Sequence, residues 1–221
     1  MRVQILSDLH LDHHADHGVS FVDKLDPRGV QVLILAGDIV STIDLNLTQR
    51  QFGWFADKFP RILYVPGNHE YYENRWLAAE THAVLATTIA LYPNITMLSS
   101  ESGTIEIEGH RFLGDTMWFA SLPNDRFGAV RGLINDFSSI KGIEPWVYER
   151  NRLFKKFLLE NLRECDVVIT HHLPSYQSVP RQYKNSPINK YFVHNCEDLI
   201  TERRPALWIH GHTHEPINYS M

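Results

Sequence analysis

Hydrophobic positions along the chain gather into short, largely β-branched runs, and each run stops at a cluster of polar, chemistry-bearing residues. Val32-Leu33-Ile34-Leu35-Ala36 closes on Gly37-Asp38, and its shortness and terminal glycine predict a buried strand rather than a piece of helix. The construction recurs. Val3 to Leu6 leads to Ser7-Asp8-Leu9-His10, Ile62 to Val65 to Pro66-Gly67-Asn68-His69-Glu70, Val167 to Thr170 to His171-His172, and Ala206 to Ile209 to His210-Gly211-His212-Thr213-His214. Ligands of open α/β sheets sit outside the carboxyl ends of the strands, so five such ends tipped with Asp, Asn and His predict one shared site built around Asp38.

Between the strands, Leu11 to Pro27 has no clear period and reads as a loop. Asn46 or Thr48 is placed to cap a helix carrying Phe52, Phe55 and Phe59, which Pro60 ends. A second helix is predicted from Asn74 to Pro93, with Trp76, Leu77, Val84 and Leu91 apolar. Short runs at 95–98, 104–108 and 111–114, with a tight turn at Glu108-Gly109, predict a change from parallel βα units to antiparallel pairing. Residues 119–142 read as a substrate-side flap. Pro145 opens a long helix with Trp146, Leu153, Phe154, Phe157, Leu158 and Leu162 on one face, and a short helix is expected around Glu197 to Glu202. The expected fold is α/β, two mixed sheets packed as a sandwich and flanked by helices, in a single domain over 1–221.

Composition narrows the function classes. A chain of 221 residues, 43% hydrophobic, can bury roughly 70% of its unfolded surface. A net charge of −5 gives no electrostatic footprint for passive nucleic-acid binding. Cys165 and Cys196 lie far apart and read as two reduced thiols. With no leader pattern and no run of membrane-spanning length, a soluble cytoplasmic protein without a membrane partner is expected.

The set Asp8, His10, Asp38, Asn68, His171, His212 and His214 offers carboxylate, amide and imidazole donors without thiolate, a mixture suited to Mn, Fe, Co, Ni or Zn. So many donors exceed what one ion needs with a position left open. Two ions sharing a carboxylate accommodate them, and two-metal sites clamp the attacking and leaving oxygens of phosphoryl transfer.

In their order, Asp8-Leu9-His10, Gly37-Asp38, Gly67-Asn68-His69-Glu70, His171 and Gly211-His212-Thr213-His214 resemble the motifs of the calcineurin-like metallophosphoesterase superfamily. The resemblance implies one ion on Asp8, His10, Asp38 and His214, a second on Asp38, Asn68, His171 and His212, and His69 as a donor to the leaving oxygen. It further implies hydrolysis of a phosphate mono- or diester, of a small molecule or nucleotide, by in-line attack of a metal-activated water whose pKa falls towards ~7. A nuclease of the same superfamily and a non-catalytic interaction module are the alternatives. The acidic balance disfavours the first, and the full complement of ligand positions the second. Members usually continue with further strands after Gly-His-x-His, so a short second sheet or a fragment is expected here.

Other residues compete for roles. His172 rivals His171, and position at the strand end favours His171. Asp115 copies the Gly-Asp motif but falls where antiparallel pairing is expected, so it is assigned to turn hydrogen bonding. His210 is read as a supporting or core residue, and His82, His110 and His194 as surface. His13, His14 and His17 are read as a solvated loop, with an auxiliary metal or phosphate site as alternative; Arg126, Arg131 and Arg181 could meet a substrate phosphate.

Overall fold

Each predicted β-branched run is a strand in the computed structural model, which describes residues 1–73, 75–121 and 130–221. β1 (Val3–Leu6), β2 (Val32–Ala36), β3 (Ile62–Val65) and β4 (Ile95–Met97) form one sheet in that order, parallel throughout. Every side chain of β2 and β3 is buried, which is why these strands read as continuous apolar runs instead of alternating ones. Leu33 and Leu35 pack with Phe52, Phe55 and Leu85 on the helical side. Val32, Ile34 and Ala36 face the other way, onto Leu63, Val65, Phe112 and Ile169.

Phe112 and Ile169 belong to a second sheet of β5 (Ile105–Ile107), β6 (His110–Asp115), β7 (Val167–Thr170) and β8 (Leu207–Ile209), also in chain order. β5 and β6 are an antiparallel hairpin turned at Glu108 and Gly109, whose φ of 50° and 76° match the tight turn expected there. β6, β7 and β8 then run parallel. Among the described residues only the second sheet is mixed, and the antiparallel pairing there is confined to its first hairpin.

Helices cover the outer faces. α1 (Val19–Lys24) lies inside the stretch read as loop, preceded by a single 3-10 turn at Leu11–His13. Too few apolar residues mark it: Leu11 and Val22 alone are buried in these two pieces. α2 (Leu45–Lys58) is capped by Asp44, not by Asn46 or Thr48. The Asp44 carboxylate accepts from the Asn46 and Leu47 amides at 3.0 and 3.2 Å, whereas the Thr48 hydroxyl donates to the carbonyls of Ser41 and Asp44 from inside the helix. α3 (Ala78–Ile89) follows β3, and the expected start at Asn74 lies outside the described residues.

The segment read as a flap contains a 3-10 turn at Arg131–Leu133 and α4 (Asp136–Ser139). α5 (Ile143–Asn161) buries Val147, Phe154 and Leu158, and α6 (Glu197–Arg203) precedes β8. Among the described residues, no helix is long and apolar enough to cross a membrane.

Candidate metal centre

The loops that leave β1, β2 and β8 turn sharply, and the sharpness is visible in the backbone. Asp8, His10, Asp38, His212 and His214 all adopt positive φ, between 43° and 73°, where a side chain other than glycine's is uncommon and costs roughly 1–2 kcal/mol. Neighbouring groups hold them there. The amides of Asp8 and His10 donate to the carbonyls of Gly37 and Asp38 at 2.9 and 3.0 Å, stitching the first loop to the second. The His212 amide donates to Asp8 Oδ1 at 2.8 Å, and the His69 amide to Asp38 Oδ1 at 2.9 Å.

Glu70 completes the brace. Its buried carboxylate accepts from the amides of Gly67 and Ile39 at 2.8 Å and of Asp38 at 3.1 Å. Burial, and then the charge of Asp38, raise its pKa to about 7.

Two motif glycines are the spaces through which partners approach. A Cβ on Gly67 would stand 2.0 Å from Asp38 Oδ1, and one on Gly37, at φ 88°, 2.3 Å from His171 Nδ1. Both distances are impossible, so any side chain there would push a donor residue out of place.

The donors gather in two overlapping sets. Ligand atoms of Asp8, His10, Asp38 and His214 lie within 4.8 Å of one another, and so do those of Asp38, His171 and His212. In the first set His10 Nε2 is 3.3 Å from His214 Nε2 and 3.9 Å from Asp38 Oδ2, with His214 Nε2 3.6 Å from Asp8 Oδ1. In the second, His171 Nε2 is 3.3 Å from Asp38 Oδ2, 3.1 Å from His212 Nδ1 and 3.1 Å from Asn68 Oδ1. Asp38, 1% exposed, is common to both.

This arrangement suits a cation. His171 Nδ1 donates to the Ala36 carbonyl at 3.0 Å, and its Nε2 faces a carboxylate oxygen, an amide oxygen and another ring nitrogen, so Nε2 carries a proton when no ion is bound and offers a lone pair only in exchange for one. A proton or a metal ion at that point reconciles the two oxygen acceptors, Asp38 Oδ2 and Asn68 Oδ1, that meet there. Burial opposes charge on Asp38, yet His171 and the surrounding imidazoles hold its carboxyl well below the usual range. Burial likewise disfavours charge on His171, but Asp38 lifts it to about 10. His212, by contrast, is pushed well down by burial and then by His172 and His171, which keeps it in the neutral form that ligates.

The sequence matches the calcineurin-like phosphoesterase family over residues 1–216, the span that holds both donor sets. The chain belongs to that family. The uncharacterized protein L509 of Acanthamoeba polyphaga mimivirus is 27% identical over 247 residues, covering 97% of this chain and 85% of that one. The crystal structure of phosphopantetheinyl hydrolase (PptH) from Mycobacterium tuberculosis matches with a TM-score of 0.76 at 16% identity, over 100% of this chain and 85% of its own, a likeness of fold.

In this calcineurin-like phosphoesterase the remaining candidates separate clearly. The His69 ring lies edge-on to His10, centroids 4.6 Å apart, and stacks on Tyr72 at 4.1 Å and 22°. His171 is in the donor set and His172 is not. The latter packs among Trp118, Phe119 and His212, with Nδ1 3.1 Å from the Thr116 carbonyl. Asp115 ends a strand that pairs in parallel with β7, so its setting is a strand end rather than the antiparallel turn expected. Its carboxylate is nevertheless taken: it accepts from Arg150 Nη2 at 2.9 Å and from the Ser100 and Thr116 amides.

His13 falls beside the site, its ligand atom within 4.8 Å of those of His10 and His69, while His14 faces the Leu9 carbonyl. His210 is partly buried, with Nδ1 3.1 Å from the Gly211 carbonyl. His82 and His194 are partly buried rather than surface residues. His82, on α3, pairs through Nδ1 with the Tyr71 hydroxyl at 2.8 Å and meets Trp146 of α5, and His194 Nδ1 pairs with Asn151 of the same helix at 3.1 Å. His110 is exposed. Arg131 pairs with Glu144 and covers Phe137, Arg181 is exposed, and Arg126 lies outside the described residues.

Asp136 and Tyr72 carried no sequence signal. Both touch Asn68 through hydrogen bonds that follow no spacing rule, and Asp136 lies in the segment without periodicity.

Proposed function

We propose that this phosphoesterase is a dinuclear-metal-dependent hydrolase of a phosphate mono- or diester of a small molecule or nucleotide. The observation that carries the proposal is Asp38: one buried carboxylate shared by two donor sets, with Asp8, His10 and His214 on one side and His171 and His212 on the other. Asn68 Oδ1 joins the second set through its 3.1 Å approach to His171 Nε2. Each ion would thus have a mixed set of oxygen and nitrogen donors, fitting a first-row ion such as Mn, Fe, Co, Ni or Zn. When bound, such a pair acidifies water and offsets the charge of the phosphoryl group.

The chain's own residues supply the rest. Asp38, Asp8 and the imidazoles orient the reacting group, while the Glu70 brace keeps the β2 and β3 loops from relaxing apart. His69 is the proton donor to the leaving oxygen, held at the edge of the first donor set by its stack on Tyr72. A cavity of about 390 Å³ lined by Asp8, His210, His214 and Ile217 lies beside that set and gives a small leaving group room.

The test is to assay the protein, loaded with each ion in turn, against aryl phosphate mono- and diesters, nucleotides, and phosphopantetheinyl esters, the last because of the fold shared with PptH. Hydrolysis should vanish on chelation and return with the ion. His69→Ala should lower kcat by roughly 10²–10⁴-fold with metal content unchanged. Activity that survives complete chelation would overturn the metal reading, and loss of an ion in the His69 variant would make His69 a ligand.

A further inference from the structure

The loop that carries Asn68 and His69 is tied, from outside the donor cluster, to one carboxylate on α4. Asp136 is 4% exposed, and its Oδ1 accepts from Asn68 Nδ2 at 2.8 Å and from the Tyr72 hydroxyl at 2.6 Å. Asn68 Nδ2 also reaches the Tyr72 oxygen at 3.1 Å, so the three polar groups close a small ring. The backbone adds a further tie, the Glu73 amide donating to the Ser139 carbonyl at 2.8 Å.

The ring has two consequences for the site. An amide has a donor end and an acceptor end, and only the acceptor end can ligate a cation. With its NH₂ group committed to Asp136 and Tyr72, Asn68 must turn Oδ1 towards His171 Nε2. The opposite orientation would set Oδ1 against the Asp136 oxygen, acceptor against acceptor. Tyr72 is the plate on which His69 rests, at 4.1 Å and 22°, so the carboxylate that orients the amide also anchors the support of the imidazole.

We propose that Asp136 is a positioning residue of the phosphoesterase, an acceptor that fixes the Asn68 amide with its oxygen towards the His171 donor set and, through Tyr72, holds the His69 ring in place. The inference rests on the two-ion reading above, and the experiment separates the two. It concerns the binding of one ion more than the other, because Asp136 touches Asn68 and none of Asp8, His10 or His214.

Calorimetric titration with Co(II) is run on the wild type, Asp136→Ala and Asp136→Asn, with circular dichroism as the check on folding. The wild type should take up two equivalents. In Asp136→Ala one equivalent should weaken by about 10–100-fold, the usual effect of losing a partner that orients a ligand, while the other stays as it was. At saturating metal kcat should still be reduced with KM little changed, because the Tyr72 support is loosened. Asp136→Asn can present an amide oxygen in the same place, so it should stay within about threefold of the wild type in both measures.

Equal weakening of both ions, wild-type binding and kcat in Asp136→Ala, or an Asn variant as damaged as the Ala variant would each overturn the proposal. If Asp136→Ala does not fold, Asp136→Ser takes its place, since its hydroxyl is too short to reach Asn68. A wild-type isotherm with one equivalent would overturn the two-ion reading itself, and the positioning role with it.

Discussion

Asp38 keeps a negative charge in a place where burial alone would remove it, and the imidazoles around it are the reason. Asp38→Asn removes that charge and replaces one oxygen with an NH₂ group that cannot coordinate. Both ions should then weaken together, whereas Asp8→Asn alters one donor set and should leave the other ion bound. Parallel metal titrations decide it, and loss of the same single ion in both variants would show that Asp38 does not bridge. That these side chains would gather in one place was legible in the sequence because residue type is itself the signal: a carboxylate, an amide or an imidazole at a strand end. Glu70 was legible only as part of a motif, since its work is to accept from the backbone amides of Asp38, Ile39, Val40 and Gly67 and no spacing encodes that. Asp136 left no trace for the same reason.

Helices and strands were read well wherever burial is two-sided or the apolar face is wide, as in β2, β3 and α5. α1 was missed because a six-residue helix with one buried side chain has no period to read. His82 and His194 looked like surface residues because only the packing of α5 against them decides otherwise, and this has a measurable effect. Burial, first among the causes, lowers both imidazoles to about 4. The unfolded chain takes up these protons near pH 6.5, and the folded chain resists until about pH 4. Their contribution to stability is therefore complete above pH 6.5 and is lost as the pH falls towards 4. At pH 5 the loss should be about 1–2 kcal/mol for each imidazole, and His82→Gln should remove one such share of the pH dependence. Urea unfolding at pH 5 and 7.5 measures it, and equal slopes in wild type and variant would contradict the assignment.

At the scale of the molecule, the donors come from both sheets. Asp8, His10, Asp38 and Asn68 follow strands of the first, while His171, His212 and His214 follow strands of the second. An ion bound by such a set clamps the sandwich at one end and adds stability by mass action. The gain is about 2.7 kcal/mol for each ion at a hundredfold excess over its Kd, or roughly 5–10 °C in Tm for a chain of this size. Thermal denaturation with and without chelator should show it, and Asp38→Asn should lose most of the shift. An unchanged Tm alongside measurable binding would mean that the unfolded chain holds the ions equally well.

The 3.3 Å approach of His10 to His214 joins residues 204 positions apart, and it gives the centre a place in time. All four strands of the first sheet have been synthesised once Met97 is made, so Asp8, His10, Asp38 and Asn68 are all present in the chain early. Neither donor set closes until the ribosome has released residues 212 and 214. A cation that draws on both sheets can therefore be taken up only by a chain in which residues 10 and 214 have already met, so such capture would be a late event of folding rather than its seed.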